Sequence, residues 1–226
     1  MDRPFRVGDL VEYAGPETHH TNACPGEYGR LVTPEAGGDP PPEWVVDFDR
    51  VIGVYSASDL RPVELDFEVR RVDPTGVDRA RIAEFLEERA TARVARLGEL
   101  INATEQEALI AEKDGRIVGV LTYIVEGDAC EVLTLHVAER WVGIGSALLR
   151  EVERLARAAG RRRVWLITTN DNLDALRFYQ RRNFNLAALH VGGIVRDRKV
   201  KPEIPAIGEY GIFIHDELEL EKRLRL

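Results

Sequence analysis

The residues with the most chemistry to offer lie between positions 130 and 180. In LTLHVAERWVGIGSALL an apolar run breaks at Arg140, Trp141 and Val142, and Gly143 and Gly145 lead through Ile144 and Ser146 into a helix-periodic stretch. Amides at a helix N-terminus have no intrahelical acceptor and sit at the positive end of the helix dipole, so a phosphate can dock there if no side chain blocks it. The same glycines also fit a turn that only caps a helix. Further on, Asn172, Ala175, Phe178 and Tyr179 are spaced N-x-x-A-x-x-F-Y at the start of a second helical stretch, where Leu173, Leu176 and Phe178 could equally be packing residues. His19, His20 and Cys24 lack a partner at zinc-like spacing, so no metal site is expected. Cys130 has no neighbour that obviously lowers a thiol pKa and reads as a small buried hydrophobe rather than an acyl-accepting nucleophile. The arginines at 161, 162, 163, 177, 181 and 182 fit a solvated face or contacts to a phosphate.

Two patterns in this order, R-x-x-G-x-G at Arg140, Gly143 and Gly145 and N-x-x-A-x-x-F-Y from Asn172, resemble the GNAT superfamily of N-acetyltransferases. The string TTNDNLDALRFYQ, with KPEIP and GIFIHDELELEK, is similar to one bacterial subgroup, and the resemblance covers about 67–226. It implies a mixed, mostly antiparallel sheet flanked by helices. It also implies transfer of an acetyl group from acetyl-CoA to a primary amine of a small molecule or protein, by direct attack and without a covalent enzyme intermediate. A catalytically silent acyl-CoA-binding module, or an adaptor working through the N-terminal part, would carry the same motifs. By this resemblance the backbone of Leu135 and Val137 holds the pantetheine arm, and residues 140–146 (Arg140, Trp141, Val142, Gly143, Ile144, Gly145, Ser146) cradle the pyrophosphate. Asn172 bonds the pantetheine, and Tyr179 protonates the departing thiolate. An amine must lose a proton before it attacks, and Glu131 is the first candidate base because some relatives carry a glutamate at that place. His136 is its rival, with an ordinary pKa near 6.5. Strand alternation sets Glu131 on the side of Leu133 and Leu135, and His136 opposite, unless a bulge shifts the phase. Trp141, Val142 and Asn183 depart from the subgroup pattern, which touches cofactor affinity more than fold.

The elements that must position these residues begin near position 65, and two domains are expected, 1–64 and 65–226. A strand at FEVRRV and a helix from about Gly76, with Val77, Ile82, Phe85 and Leu86 on one face, precede three strands, EALIAEK, RIVGVLTYIV and CEVLTLHV, joined by short turns at Asp114-Gly115 and Glu126-Gly127-Asp128. Leu148, Leu149, Val152, Leu155, Ala156 and Ala159 then repeat at three and four, with Gly160 placed to end the helix. A buried strand RVWLITT, a helix at about 172–182, a strand near LAALHV and a last strand at GIFIH complete the order, which is not that of a doubly wound parallel sheet. The segments 91–105 and 192–210 carry no diagnostic motif. Residues 1–64 hold short β-type runs, DLVEY, GRLVT, EWVVDF and the stretch around Val54 and Tyr55, with a loop at Gly37-Gly38-Asp39-Pro40-Pro41-Pro42, and resemble a small SH3-like barrel.

Composition narrows the setting. Of 226 residues 44% are hydrophobic and 31% charged, as in ordinary globular proteins, and no apolar run approaches the roughly 20 residues of a membrane-spanning helix. With two cysteines, no secretory leader in MDRPFRVGD and no C-x-x-C, a cytoplasmic protein without membrane partners is expected. The net charge is −8, and residues 1–64 hold 5 basic and 12 acidic side chains, so −7 lies there. Such a surface repels phosphate backbones, and nucleic acid is not expected as a partner. A homodimer and a protein partner for the barrel stay open.

Overall fold

A computed structural model of the chain describes residues 5, 10–15, 28–34, 43–47, 52–62, 66–72, 76–138 and 143–224. Contacts divide the chain into two compact units, 1–65 with 181–183, and 66–180 with 184–226. In the first unit β1 (Leu10–Tyr13), β2 (Tyr28–Pro34), β3 (Glu43–Asp47), β4 (Ile52–Ser56) and β5 (Leu60–Pro62) form one antiparallel sheet of order β4-β3-β2-β1-β5. Alternation buries Val11 and Tyr13 from β1, and Trp44 and Val46 from β3, around Leu31, Tyr55 and Leu60. The expected loop at 37–42 and the residues His19, His20 and Cys24 lie outside the described residues.

The second unit is built on a seven-stranded sheet of order β13-β14-β12-β11-β10-β9-β6. Its strands are β6 (Glu68–Arg71), β9 (Glu107–Lys113), β10 (Arg116–Glu126), β11 (Ala129–Val137), β12 (Arg163–Thr169), β13 (Asn185–His190) and β14 (Glu217–Arg223). A separate hairpin joins β7 (Arg93–Arg96) to β8 (Glu99–Asn102). Only β11 and β12 pair in parallel; every other neighbour in the large sheet is antiparallel, so the sheet is mixed and mostly antiparallel as expected. The helices are α1 (Asp78–Glu87), α2 (Ile144–Ala158), α3 (Leu173–Gln180) and α4 (Gly193–Val200). One face of the sheet packs on α2 and α3, through Leu121, Tyr123, Cys130, Val132, Leu148, Leu149, Val152 and Tyr179. The other packs on α1, through Ile82, Phe85, Leu86, Ile110 and Val120, with Val94 of the hairpin against the same cluster.

The N-terminal end of α2 is fixed by two glycines. Gly143 has φ +84°, a left-handed conformation that turns the chain into α2 and that a side chain would strain. Gly119 on β10 lets the helix come close, because a Cβ there would stand 2.6 Å from Ile144 Cγ2 and 3.0 Å from Leu148 Cδ1. At the far end Glu153, buried on α2, takes Lys222 of β14 at 2.9 Å and ties helix to sheet.

The structure departs from the sequence expectations in four places. Val77 is the N-cap of α1 and is 87% exposed, so only Ile82, Phe85 and Leu86 of the expected face are buried. GIFIH is not the last strand: it contributes one isolated bridge, Ile207 to Phe213, and the last strand is ELELEKR, whose glutamates and leucines alternate between sheet faces. Segments 91–105 and 192–210, for which the sequence suggests no element, hold the β7–β8 hairpin and α4. Finally, Thr122 pairs with Thr134 while Tyr123 pairs with Val132, so Leu133 is an extra residue on β11, and the alternation slips by one there.

Candidate active site

The slip in β11 decides which groups can act together. Cys130 and Val132 before it, and Leu135 and Val137 after it, pack on the α2 side, whereas Leu133 packs on the α1 side. Glu131 and His136 therefore share the α1 face, instead of standing on opposite faces as simple alternation gave. The bulge is sealed by a buried hydrogen bond, 2.8 Å, between the Thr122 and Thr134 hydroxyls.

Beside the bulge the sheet forks. β11 and β12 pair only at Ala129–Arg163, Cys130–Val164 and Glu131–Trp165, after which β11 continues to Val137 and β12 to Thr169 without pairing. Peptide groups bordering such a fork have no strand partner across it and suit an extended ligand that bonds as a strand does. On the α2 side of the fork stand Leu135, Val137, Ile144, Gly145 and Tyr179. A Cβ on Gly145 would touch the Phe178 ring at 3.4 Å and Val137 at 3.8 Å, ordinary contacts that the protein itself would tolerate. Ile144 and Ser146 are buried, so the first turn of α2 offers backbone rather than side chains. Tyr179 is buried between Phe178 and Phe184, ring centroids 5.1 and 5.4 Å away. Arg140, Trp141 and Val142 lie outside the described residues.

The start of α3 follows from its cap. Asn172 Oδ1 accepts the Ala175 amide at 3.1 Å, an N-cap bond that leaves the side-chain NH2 able to donate elsewhere. Just before it, Asn170 Nδ2 donates to the Phe213 carbonyl at 2.8 Å, and its Oδ1 accepts the His215 and Asp216 amides at 3.0 and 3.1 Å. Asp171 accepts the Glu209 amide at 3.0 Å. Asn170 and Asp171 of the TTNDN string thus fasten the 207–216 segment beside the α3 N-terminus.

On the α1 face Glu131 sits at the vertex of the fork and is 5% exposed. Arg96 on the hairpin holds both its oxygens, Nε to Oε1 at 2.7 Å and Nη2 to Oε2 at 2.9 Å, and reaches Glu99 at 2.6 Å. An amine or relay water can approach that carboxylate only at its remaining lone pairs. His136 stands further toward the open end, its pKa lowered to about 4 by burial first and by the nearby Arg89 second, so its imidazole is neutral at neutral pH. The Cys130 thiol is pushed up to about 12 by burial and then by Glu131, which removes thiolate nucleophilicity. Arg163 of the basic run is taken up by Glu219 and Glu221. Among the described residues no group of three or more His, Cys, Asp or Glu side chains could hold a metal ion.

Arg96 is the site residue that sequence reasoning missed. Its only signal is the tract VARLGELIN, two short alternating runs around Leu-Gly, which reads as a hairpin once that dipeptide is taken as a turn.

The chain is similar to known proteins in family and in fold. A model described as the acetyltransferase (GNAT) family matches residues 75–184. YdhI of Bacillus subtilis, an uncharacterized protein, is 43% identical over 110 residues, covering 49% of this chain and 69% of that one. An uncharacterized N-acetyltransferase of Mycobacterium bovis is 32% identical over 139 residues, covering 56% and 87%. A GNAT family acetyltransferase from Elizabethkingia anophelis, solved with acetyl-CoA bound, shares the fold with a TM-score of 0.52 at 19% identity, over 71% of this chain and 100% of that one.

Proposed function

This chain belongs to the GNAT acetyltransferase family, and from that premise we propose that it transfers an acetyl group from acetyl-CoA to a primary amine by direct attack. The observation that carries the reading is the fork between β11 and β12, which opens beside the N-terminus of α2. The relative solved with acetyl-CoA bound supports the same coenzyme here. Acetyl-CoA supplies the acetyl group as a thioester, already activated toward an amine.

The residues of the chain fit such a ligand. The α2 N-terminus offers first-turn amides at Ile144 and Gly145, on the positive end of the dipole, where the diphosphate docks. Gly145 is not demanded by the protein's own packing, so its lack of a side chain serves the ligand. Unpaired peptide groups at Leu135 and Val137 take the pantetheine amides, and the Asn172 NH2 takes a pantetheine oxygen. Tyr179, whose ring packs in the α2-side core, gives a proton to the departing sulfur. The acceptor then comes from the α1 face, where His136 and Glu131 stand. Because Glu131 is engaged on both oxygens by Arg96, the proton of the attacking nitrogen goes to His136. The amine attacks in its neutral form, having left its ammonium proton to water. An imidazole this weakly basic accepts the second proton as the new C–N bond forms, when that proton has become acidic.

The N-terminal unit is assigned as an SH3-like accessory barrel on its five-stranded order and its Trp44-centred core. The whole is assigned to the cytoplasm, where acetyl-CoA is made; no helix among the described residues is long and apolar enough to cross a membrane. Release of free thiol from acetyl-CoA with a panel of primary amines, followed by mass spectrometry of the product, tests the reading. At least one N-acetylated product is expected, and stabilisation by CoA with no turnover on any amine would instead mark a silent binding module.

A further inference from the structure

The β7–β8 turn, Leu97-Gly98, has positive φ at both residues, 53° and 84°, the two-residue form that suits a tight hairpin. Its amides are not left to solvent. Leu97 N–H donates to Glu217 Oε1 and Gly98 N–H to Asp197 Oδ1, each at 2.7 Å. Both carboxyl groups are 1% exposed, Glu217 at the head of β14 and Asp197 on α4, and they hold the adjacent amides of one two-residue turn. Two buried carboxylates drawn to neighbouring amides repel one another when both are ionised, which favours a proton on one of them. Glu217 Oε2, buried and with no hydrogen-bond partner, is the oxygen able to carry it. The Arg196 guanidinium stands 3.8 Å from that oxygen, beyond hydrogen-bond reach, so it does not replace the proton.

We propose that the Asp197–Glu217 carboxyl pair is a proton-held latch that fastens the hairpin tip to α4 and β14 and so positions Arg96 against Glu131 at the fork. Burial chiefly raises the Glu217 pKa, the Leu97 amide opposes this, and the Asp197 charge adds to it. The other groups facing the pair are His190 on β13, which favours ionisation, and Arg196 on α4; Glu219, on the same face of β14, is engaged by Arg163 and His190. Lys201, after α4, holds the hairpin base through the Ala90 and Arg93 carbonyls. A group whose folded pKa is raised stabilises the fold below its ordinary pKa and loses that contribution as pH rises through the folded value, so the latch is closed in acid and opens toward alkali. The catalytic consequence rests on the acetyltransferase reading; the latch does not.

Hydrogen exchange of the full-length chain, read on peptides covering 93–102 across a pH series and corrected for intrinsic exchange, tests it. Protection is expected to fall with rising pH by up to about tenfold per unit between the ordinary carboxyl pKa and the raised folded value, and to level off above that midpoint. Glu217→Gln keeps a donor and has no charge to gain, so its protection is expected to be flat. Asp197→Asn removes the neighbouring charge and is expected to move the midpoint toward acid. Flat protection in the unaltered protein, or an unchanged fall in Glu217→Gln, overturns the latch. Should Glu217→Gln not fold by circular dichroism, an unmoved midpoint in Asp197→Asn does so. In turnover, the KM for the amine is expected to rise with pH in the unaltered protein and not in Glu217→Gln, while acetyl-CoA affinity holds. An acceptor KM that ignores the opening seen by exchange overturns the positioning role. Absence of turnover on every amine sinks the enzymatic reading and leaves the exchange result standing.

Discussion

His136 shows how far a side chain's chemistry is set by its setting. The residue was visible in the sequence as a candidate base, but its partners were not, because a one-residue bulge at Leu133 reverses the alternation that placed it. Nothing in CEVLTLHV announces a bulge, since every residue there suits a strand on either phase. Burial and Arg89 hold His136 near pKa 4, and an NMR titration of its ring is expected to show that midpoint rather than one near 6.5. The acid limb of kcat/KM should share the midpoint, vanish in His136→Ala and persist in Glu131→Gln; the reverse pattern would return the base role to Glu131. Tyr179 belongs to the opposite side of the fork. Thiolate leaves readily, so Tyr179→Phe is expected to lower kcat by about tenfold to hundredfold, at or below the low end of the usual range for general acids, with acetyl-CoA affinity unchanged.

Among the elements, those with strong periodicity were legible and those with weak periodicity were not. The meander, α2 and β12 follow the expected segments closely, since Leu148, Leu149, Val152 and Ala156 are all buried as their spacing requires. The β7–β8 hairpin and α4 were read as featureless because they are short, charged, and stabilised by contacts distant in sequence, Glu217 and Asp197 above all. β14 hid because a Glu-rich run resembles a solvated tail, although Leu218 and Leu220 give it the period of a strand. The α2 N-terminus yields the sharpest test at this scale. Gly145→Ala adds a methyl group that the protein accommodates and removes backbone entropy, so stability should hold or rise by about 0.5–1 kcal/mol. Affinity for CoA should nonetheless fall by about tenfold, near 1.4 kcal/mol, because the methyl group meets the diphosphate. Thermal melting and calorimetry on one preparation separate the two effects.

Across the whole molecule, the order of strands and helices joins two half-sites that are remote in sequence. The side of the fork proposed for the coenzyme is assembled from β11, α2 and α3, and the side proposed for the acceptor from β11, the hairpin and, through Asp197 and Glu217, α4 and β14. The motifs that point to the first side are local and so stand out in the sequence. The second side does not, because it consists of ion pairs and amide contacts made between residues up to 120 positions apart. Acceptor identity depends on that second side. The coenzyme side is the claim on which the rest depends, and isothermal titration of the full-length chain with acetyl-CoA tests it most directly. A saturable heat with one site per chain, sharply reduced in Gly145→Val, is the predicted result. No heat at any concentration, or equal heats from both proteins, would contradict it.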